Sequence, residues 1–261
     1  WSPTVSTDFA YAQARVQARL GERLPEDAWR VIESSQGLPR YLASIRGTVL
    51  APRTRHFPAA VTPHAIERAL RDNWRAEVAD VARWIPDHWR EAVEWTAYIP
   101  YINAVDWLAK EKPVLPWMQD DPMLSDLADD DDNARRAALD ASPFRPMLDV
   151  DGDGELPDRW LAHWQSQWPS MNDEEATALR ALVDAVLAWL AAGAVQGASL
   201  RDRREARVRL TLKAASMMHR HVEQPVVVFC HLLLFGLELK RLRDGLLRRS
   251  LFNGEHVERV A

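Results

Sequence analysis

Cysteine and glycine are both scarce in this sequence. Its 261 residues include one cysteine and 10 glycines. A single cysteine excludes an internal disulfide, and Cys230 stands inside an apolar stretch, which predicts a buried, inert thiol in a reducing compartment. Few glycines leave few positions where the backbone bends freely, so we expect a stiff fold.

The sequence motifs of common catalytic sites are missing. There is no G-x-x-x-x-G-K-[ST] phosphate loop, no G-x-G-x-x-G turn, no G-x-S-x-G elbow and no H-E-x-x-H pair. His219 and His221 are two residues apart, so on a helix they point about 200° apart and cannot share a metal. His231 is predicted to be a hydrogen-bonded core histidine. We therefore expect a protein that is not an enzyme, with no catalytic residue, no cofactor and no metal.

The apolar run of the last helix is short. The apolar stretch from Val226 to Phe235 covers ten residues, whereas a membrane-crossing helix needs about 20. The first residues, Trp1-Ser-Pro-Thr-Val-Ser-Thr-Asp8, have neither the basic nor the apolar part of a signal peptide. These observations predict a cytoplasmic protein with no transmembrane segment.

Charge is unevenly distributed along the chain. Residues 119–158 include thirteen acidic and three basic residues, whereas residues 201–261 include thirteen basic and seven acidic ones. A basic region can meet acidic protein, lipid head groups or nucleic acid, although a solvated arginine face is the commoner case. Nucleic acid is disfavoured because all twelve tryptophans lie at or before Trp189, so no aromatic rings alternate with these arginines.

Helix signals dominate the sequence and predict an all-α fold. Asn172 with Glu175, and Ser199 with Asp202, have the spacing of capping boxes. Thr62 and Pro63 start a helix whose apolar positions recur at helical spacing. Gly37 and Pro39 are expected to end the helix that starts at Pro25. Alternating strand patterns are missing.

Three parts are expected along the chain, with one continuous helical domain as the alternative. They are an N-terminal helical part (1–118), an acidic, loop-rich connection (119–156) and a C-terminal helical part (157–261). The tryptophans of the middle region stand at helical spacing beside apolar residues, so packing is favoured over an aromatic ligand cage.

One acidic segment has the start of a calcium-binding loop. Asp149, Asp151 and Asp153 match ligand positions one, three and five of an EF-hand, and Gly154 supplies its turn. The twelfth position, where a bidentate glutamate closes the site, is Trp160. We therefore favour an acidic turn leading into the next helix, with a calcium site as the alternative.

The last helix and the first helix together resemble a known family. Near the C-terminus, Pro225 and an aliphatic run precede Glu238-Leu-Lys-Arg-Leu-Arg243 and the basic end Leu247-Arg-Arg-Ser-Leu-Phe252. Near the N-terminus, Asp8-Phe-Ala-Tyr-Ala-Gln-Ala-Arg-Val-Gln-Ala-Arg-Leu20 has an aromatic pair followed by arginines. Both stretches are similar to the corresponding ends of the C/d-subunit family of V-type and archaeal-type ATPases, which contribute to the central stalk. The family commonly has Asn where this chain has Arg241.

The resemblance implies stacked helical units and a non-catalytic role. A member of this family couples the central stalk to the membrane rotor ring of a rotary ATPase that transports ions. The implied partners are therefore stalk and ring subunits, with peripheral membrane association and no nucleic acid. By position in the resembling segment, Glu238, Leu242 and Arg243 are the structural or interface candidates.

Two alternatives remain open at this stage. The chain could be a free-standing all-α adaptor that responds to calcium, or an enzyme whose site has no recognised motif.

Overall fold

The computed structural model describes residues 9–54, 57, 62–148, 154–194 and 199–252. These residues form α-helices and short 3-10 turns and contain no strand, so the predicted all-α fold class is confirmed. In chain order the α-helices are α1 (Ala10–Gly21), α2 (Glu26–Ser34), α3 (Leu38–Arg46), α4 (Ala51–Thr54), α5 (Pro63–Ala82), α6 (Arg90–Trp95), α7 (Ile102–Ala109), α8 (Pro116–Gln119), α9 (Asp132–Ala141), α10 (Arg145–Leu148), α11 (Leu156–Ser166), α12 (Asp173–Ala194), α13 (Leu200–Arg220) and α14 (Val226–Phe252).

The chain divides into two compact units. Unit 1 consists of Trp1–Pro86 with Ser170–Ala261, and unit 2 of Asp87–Pro169. The boundaries between the units lie after residues 86 and 169, whereas the predicted boundaries lie after residues 118 and 156. The reason is local packing: the stretch expected to be a loop-rich connection contains α9 and α10, and α10 contacts both α9 and α11.

Helix α14 organises unit 1. It contacts α1, α3, α5, α12 and α13. Its first half is buried on nearly every side, whereas its second half alternates buried residues such as Leu242 and Leu246 with exposed ones such as Arg243 and Arg248. Helix α14 is therefore a core helix in its first half and amphipathic in its second half. It also places the C-terminal segment of the chain against the N-terminal helix α1.

The capping signals formed as the sequence predicts. The Ser199 hydroxyl accepts a hydrogen bond from the Asp202 amide at 3.1 Å, and the Ser199 amide donates to the Asp202 carboxylate at 2.9 Å. Asn172 and Glu175 form the same reciprocal pair at 2.9 and 3.1 Å. These bonds satisfy amide groups that have no partner within the helix, which fixes where α12 and α13 begin.

One predicted helix end was wrong. We expected Gly37 and Pro39 to terminate a helix, but they begin α3 instead, after α2 has ended at Ser34. Gly37 has φ +73°, a conformation that glycine adopts at little cost, and Pro39 lies in the first helical turn, where its missing N–H has no intrahelical partner to lose. The same residues therefore serve as a start signal.

Aromatic rings form much of the core of unit 2. Trp160 and Trp164 stack with ring centroids 6.0 Å apart, and the Trp95 indole donates to the Trp160 carbonyl at 3.1 Å. The Trp164 indole donates to the Ala92 carbonyl at 2.9 Å, which ties α11 to α6. Trp95 thus packs in the core, as the sequence predicts for the tryptophans of the middle region.

Helix α12 is the one described helix long and apolar enough to cross a membrane, judged by length and composition alone. Only 17% of its most apolar window is buried. Its buried residues, Ala178, Leu179 and Leu182, all lie in its first half.

Candidate functional site

A charged cleft in unit 1 is the best candidate for a functional site. It has a volume of about 280 Å³ and lies where α1, α4, α5 and α14 come together. Most of its lining side chains are charged or polar, and the residues are Arg19, Glu22, Arg23, Val49, Pro52, Arg53, Asn73, Ala76, Glu77, Asp80, His231, Phe235 and Glu238.

Glu238 is the deepest carboxylate of this cleft. Its side chain is 3% exposed and forms an ion pair with Arg53, which follows α3 on the short helix α4. Arg23, just beyond the end of α1, places a guanidinium nitrogen 3.7 Å from the other carboxylate oxygen. Burial lowers the pKa of Arg23, while the charge of Glu238 acts in the opposite direction. One acidic side chain of α14 thus holds two arginines from the N-terminal third of the chain.

Glu77 forms a second charged group in the cleft. It accepts a hydrogen bond from Arg19 at 2.9 Å, and its other oxygen lies 2.7 Å from Nε2 of His231. Burial alone would raise the pKa of Glu77. The hydrogen bond with His231 and the nearby positive charges outweigh that effect, so its pKa lies below its usual value. Glu77 is therefore held as a carboxylate, and His231 is the hydrogen-bonded core histidine that we predicted.

Aromatic faces support the arginines of the cleft. The guanidinium of Arg19 lies 5.2 Å from the ring centre of Trp84, and that of Arg53 lies 4.4 Å from the ring centre of Phe235. Stacking of this kind stabilises a buried cation by cation–π attraction. The arginine side chains are therefore fixed on two sides, by carboxylates and by rings.

The cleft pairs its buried carboxylates internally. Its lining includes no serine, threonine, cysteine or tyrosine that could act as a nucleophile. The one histidine has a ring nitrogen engaged with Glu77. Each carboxylate described above is paired with an arginine or with the histidine, so the cleft joins helices through internal charge compensation.

A second charge network lies further along α14, centred on Arg241. This side chain is 6% exposed and reaches two glutamates of α2. Its Nε lies 2.5 Å from Glu33, and its Nη1 lies 2.6 Å from Glu26. The guanidinium also lies 4.6 Å from the ring centre of Trp29. Burial opposes the charge of Arg241, but hydrogen bonds with both glutamates raise its pKa above the usual value.

Arg249, two turns beyond Arg241, closes the C-terminal end of α2. It donates to the carbonyl oxygens of Glu33 and Ser35 at 2.7 and 3.0 Å. The last carbonyls of a helix have no intrahelical partner and carry partial negative charge, so an arginine is well suited to bind them. Arg249 thus holds the C-terminal end of α2 against α14.

The three residues singled out from the sequence occupy different environments. Glu238 is buried in the charged cleft, and Leu242 is fully buried in the core. Arg243 is 44% exposed and pairs with Glu67 of α5 through a 2.7 Å hydrogen bond. The structure brings Glu238 to Arg23 and Arg53 and brings Arg243 to Glu67, so Arg243 is the member of the three that a partner can reach.

Sequence reasoning missed the partners of these residues. Arg23, Arg53 and Glu77 have no motif among them, and they lie far apart in the chain. Arg241 did carry a signal of its own. A basic residue on a helix that is mostly apolar suggests an acidic partner on the helix that packs against it.

The candidate calcium ligands Asp149, Asp151 and Asp153 lie outside the described residues. Beside them, Glu155 and Asp158 form a capping box at the start of α11, with the Glu155 amide 3.3 Å from the Asp158 carboxylate. In the described part of the chain, no group of three or more histidine, cysteine or acidic residues is arranged to hold a metal ion.

The predicted buried thiol is confirmed. Cys230 is fully buried, and burial raises its pKa to about 12, so it stays a protonated, unreactive thiol.

Comparisons with known proteins give no family assignment. No protein-family model, no curated protein and no solved structure matches this chain.

Proposed function

We propose that this chain is a non-catalytic coupling subunit of a V-type or archaeal-type ATPase, which links the central stalk to the membrane rotor ring. The main observation in support of the proposal is that the helices near the two ends of the chain pack together. The two segments that resemble the C/d-subunit family lie at opposite ends of the sequence. In unit 1 the helices they form, α1 and α14, contact each other.

Contacts across the charged cleft make this joining specific. Arg19 of the N-terminal segment binds Glu77, which in turn binds His231 of α14. Glu238, from the C-terminal segment, holds Arg23 and Arg53. A coupling subunit has to transmit torque without deforming, and buried ion pairs between helices favour one fixed arrangement.

The chemistry of unit 1 also favours an assembly role. The carboxylates of Glu77 and Glu238 are paired with arginines of the cleft, and the lining includes no serine, threonine, cysteine or tyrosine. Arg243 remains partly exposed on the outer face of α14, next to exposed Asp244 and Arg248. Such a face suits electrostatic orientation of a partner subunit.

Co-purification from native membranes tests this proposal. Tagged protein should be recovered with the central-stalk and rotor-ring subunits of a V-type ATPase from cells that contain the assembled enzyme. Recovery only as a free soluble species from such cells would contradict the proposal and favour a free-standing adaptor.

Charge reversal of Arg243 locates the docking face. The Arg243–Glu67 pair is partly exposed, so its loss should reduce stability by no more than about 1 kcal/mol. Arg243→Glu should therefore keep the far-UV circular dichroism of the wild type while co-purification is lost. The double variant Arg243→Glu/Glu67→Arg restores the internal pair and should still fail to assemble if Arg243 contacts a partner. Recovery of assembly in the double variant would show that the pair is only structural.

A further inference from the structure

The far end of the α12–α13 pair exposes apolar surface that unit 1 does not cover. From residue 183 to residue 194, α12 reads Val-Asp-Ala-Val-Leu-Ala-Trp-Leu-Ala-Ala-Gly-Ala, with Asp184 as its single charge. None of these twelve side chains is buried. Leu187 is 45% exposed and Leu190 is 52% exposed. A stretch this apolar is unusual on a surface facing water.

Arginines lie on the helix beside this apolar end. Helices α12 and α13 contact each other, and the start of α12 lies beside the end of α13, since Asp173 and Arg220 line the same pocket. The two helices are therefore antiparallel, and the end of α12 lies beside the start of α13. Residues 201–209 of α13 include five basic residues and two acidic ones.

Two of these arginines form ion pairs within the protein. Arg201 pairs with Glu205 at 2.9 Å, and Arg204 pairs with Glu26. Arg201, Arg203, Arg204 and Arg209 are nevertheless all exposed. The start of α13 thus keeps an excess of positive charge facing solvent. We call α12 residues 183–194 together with α13 residues 201–209 the hairpin end.

We propose that the hairpin end binds the surface of an anionic lipid bilayer, with its apolar helix end inserted shallowly and its arginines on the lipid head groups. A protein groove accepts one stripe of a helix, whereas apolar residues here occupy every face of the helix. Trp189 lies within the stretch, and tryptophan favours the boundary between head groups and acyl chains. Arginines close to such a surface are attracted by anionic lipids.

Dimensions and burial favour shallow insertion over a membrane crossing. Twelve helical residues extend about 18 Å, whereas the hydrocarbon layer is about 30 Å thick. The remaining length of α12 would have to come from its first half, where Leu179 and Leu182 are buried in unit 1. A second copy of the chain is a poor occupant, because a symmetric contact would oppose two sets of arginines. This inference does not depend on the proposed ATPase role, since it concerns direct contact with lipid.

Vesicle sedimentation of the purified chain tests the inference. Vesicles of phosphatidylcholine with about 30% phosphatidylglycerol should bind the protein, whereas pure phosphatidylcholine vesicles should bind it at least tenfold more weakly. High salt should also weaken binding severalfold, because it screens the arginines. The double variant Leu187→Asn/Leu190→Asn should reduce binding about tenfold or more.

A matched variant at the opposite end of the α12–α13 pair controls for general effects. Val222, exposed just beyond α13, is changed to asparagine, and Val222→Asn should bind vesicles as the wild type does. Circular dichroism checks that each variant is folded. Equal binding to neutral and anionic vesicles, or equal loss in both variants, would overturn the inference. Failure of the wild type to bind any vesicle would also overturn it and leave the hairpin end to a protein partner.

Discussion

The two units of this chain differ in what fills their interiors. Unit 1 buries charged side chains, among them Glu77, Glu238 and Arg241, and pairs them across helices that are distant in sequence. Unit 2 also buries Arg135, but this arginine pairs locally with Asp132. Its core contains large rings: Trp160 and Trp164 stack, and the indoles of Trp95 and Trp164 donate to backbone carbonyls. Paired charges require particular partners, whereas ring packing depends on volume. The two units should therefore respond differently to substitution and to acid.

The largest effect in unit 1 is expected from removing Glu238. Glu238→Ala leaves the partly buried guanidinium groups of Arg23 and Arg53 without their carboxylate, which should lower the free energy of unfolding by about 3 kcal/mol. Urea denaturation followed by circular dichroism measures this change. Glu67→Ala, which breaks a more exposed pair with Arg243, serves as the control and should lower stability by no more than about 1 kcal/mol. Equal effects of the two variants would contradict the importance of the buried pair.

In unit 2 a comparable loss should follow removal of a ring. Trp164→Ala deletes a buried indole together with its hydrogen bond to Ala92, so we expect a loss of about 3–5 kcal/mol. Trp107 is only partly buried, and Trp107→Ala should cost clearly less. Denaturation monitored by the fluorescence of the remaining tryptophans compares the two variants. If they cost the same, ring burial does not account for the stability of unit 2.

A smaller effect tests the close approach of α14 to α3. A Cβ atom at Gly245 would overlap the hydroxyl oxygen of Tyr41, a fully buried side chain that cannot move aside freely. Gly245→Ala should therefore lower stability by about 1–3 kcal/mol. Gly193, near the end of α12, has no atom within 4 Å of the same position. Gly193→Ala should instead raise stability by up to about 1 kcal/mol, because alanine favours helix. The opposite signs can be checked by thermal melts.

Acid should lower the stability of the two units in different pH ranges. In unit 2, burial lowers the pKa of His163, so folding favours its neutral form. That stabilisation is present above the unfolded-state value of 6.5 and is lost as pH falls through the lowered folded value. In unit 1, the lowered pKa of Glu77 contributes stability above pH 4.5, which is lost at still lower pH. His163→Gln should remove the first phase, and Glu77→Gln the second, in stability measured against pH.

The helices of this fold could be predicted from the sequence, but its charge pairs could not. Capping residues such as Ser199 and Asp202, and apolar stripes such as that of α5, act within a few residues, so they can be read locally. Gly37 and Pro39 were misread because the same two residues suit either end of a helix. The partners of Glu238 come from 185 or more positions earlier in the chain, and nothing local specifies such a distance. The division into units was missed for the same reason, since unit 1 is assembled from both ends of the sequence.

Hydrogen exchange of wild type and Glu238→Ala tests most directly the claim that buried charge joins the two ends of the chain in unit 1. Exchange resolved by peptide should show protection lost in α1, α4, α5 and α14 of the variant, while peptides from α6 to α11 keep wild-type protection. Unchanged protection in α1 and α14, or equal loss throughout both units, would contradict the claim.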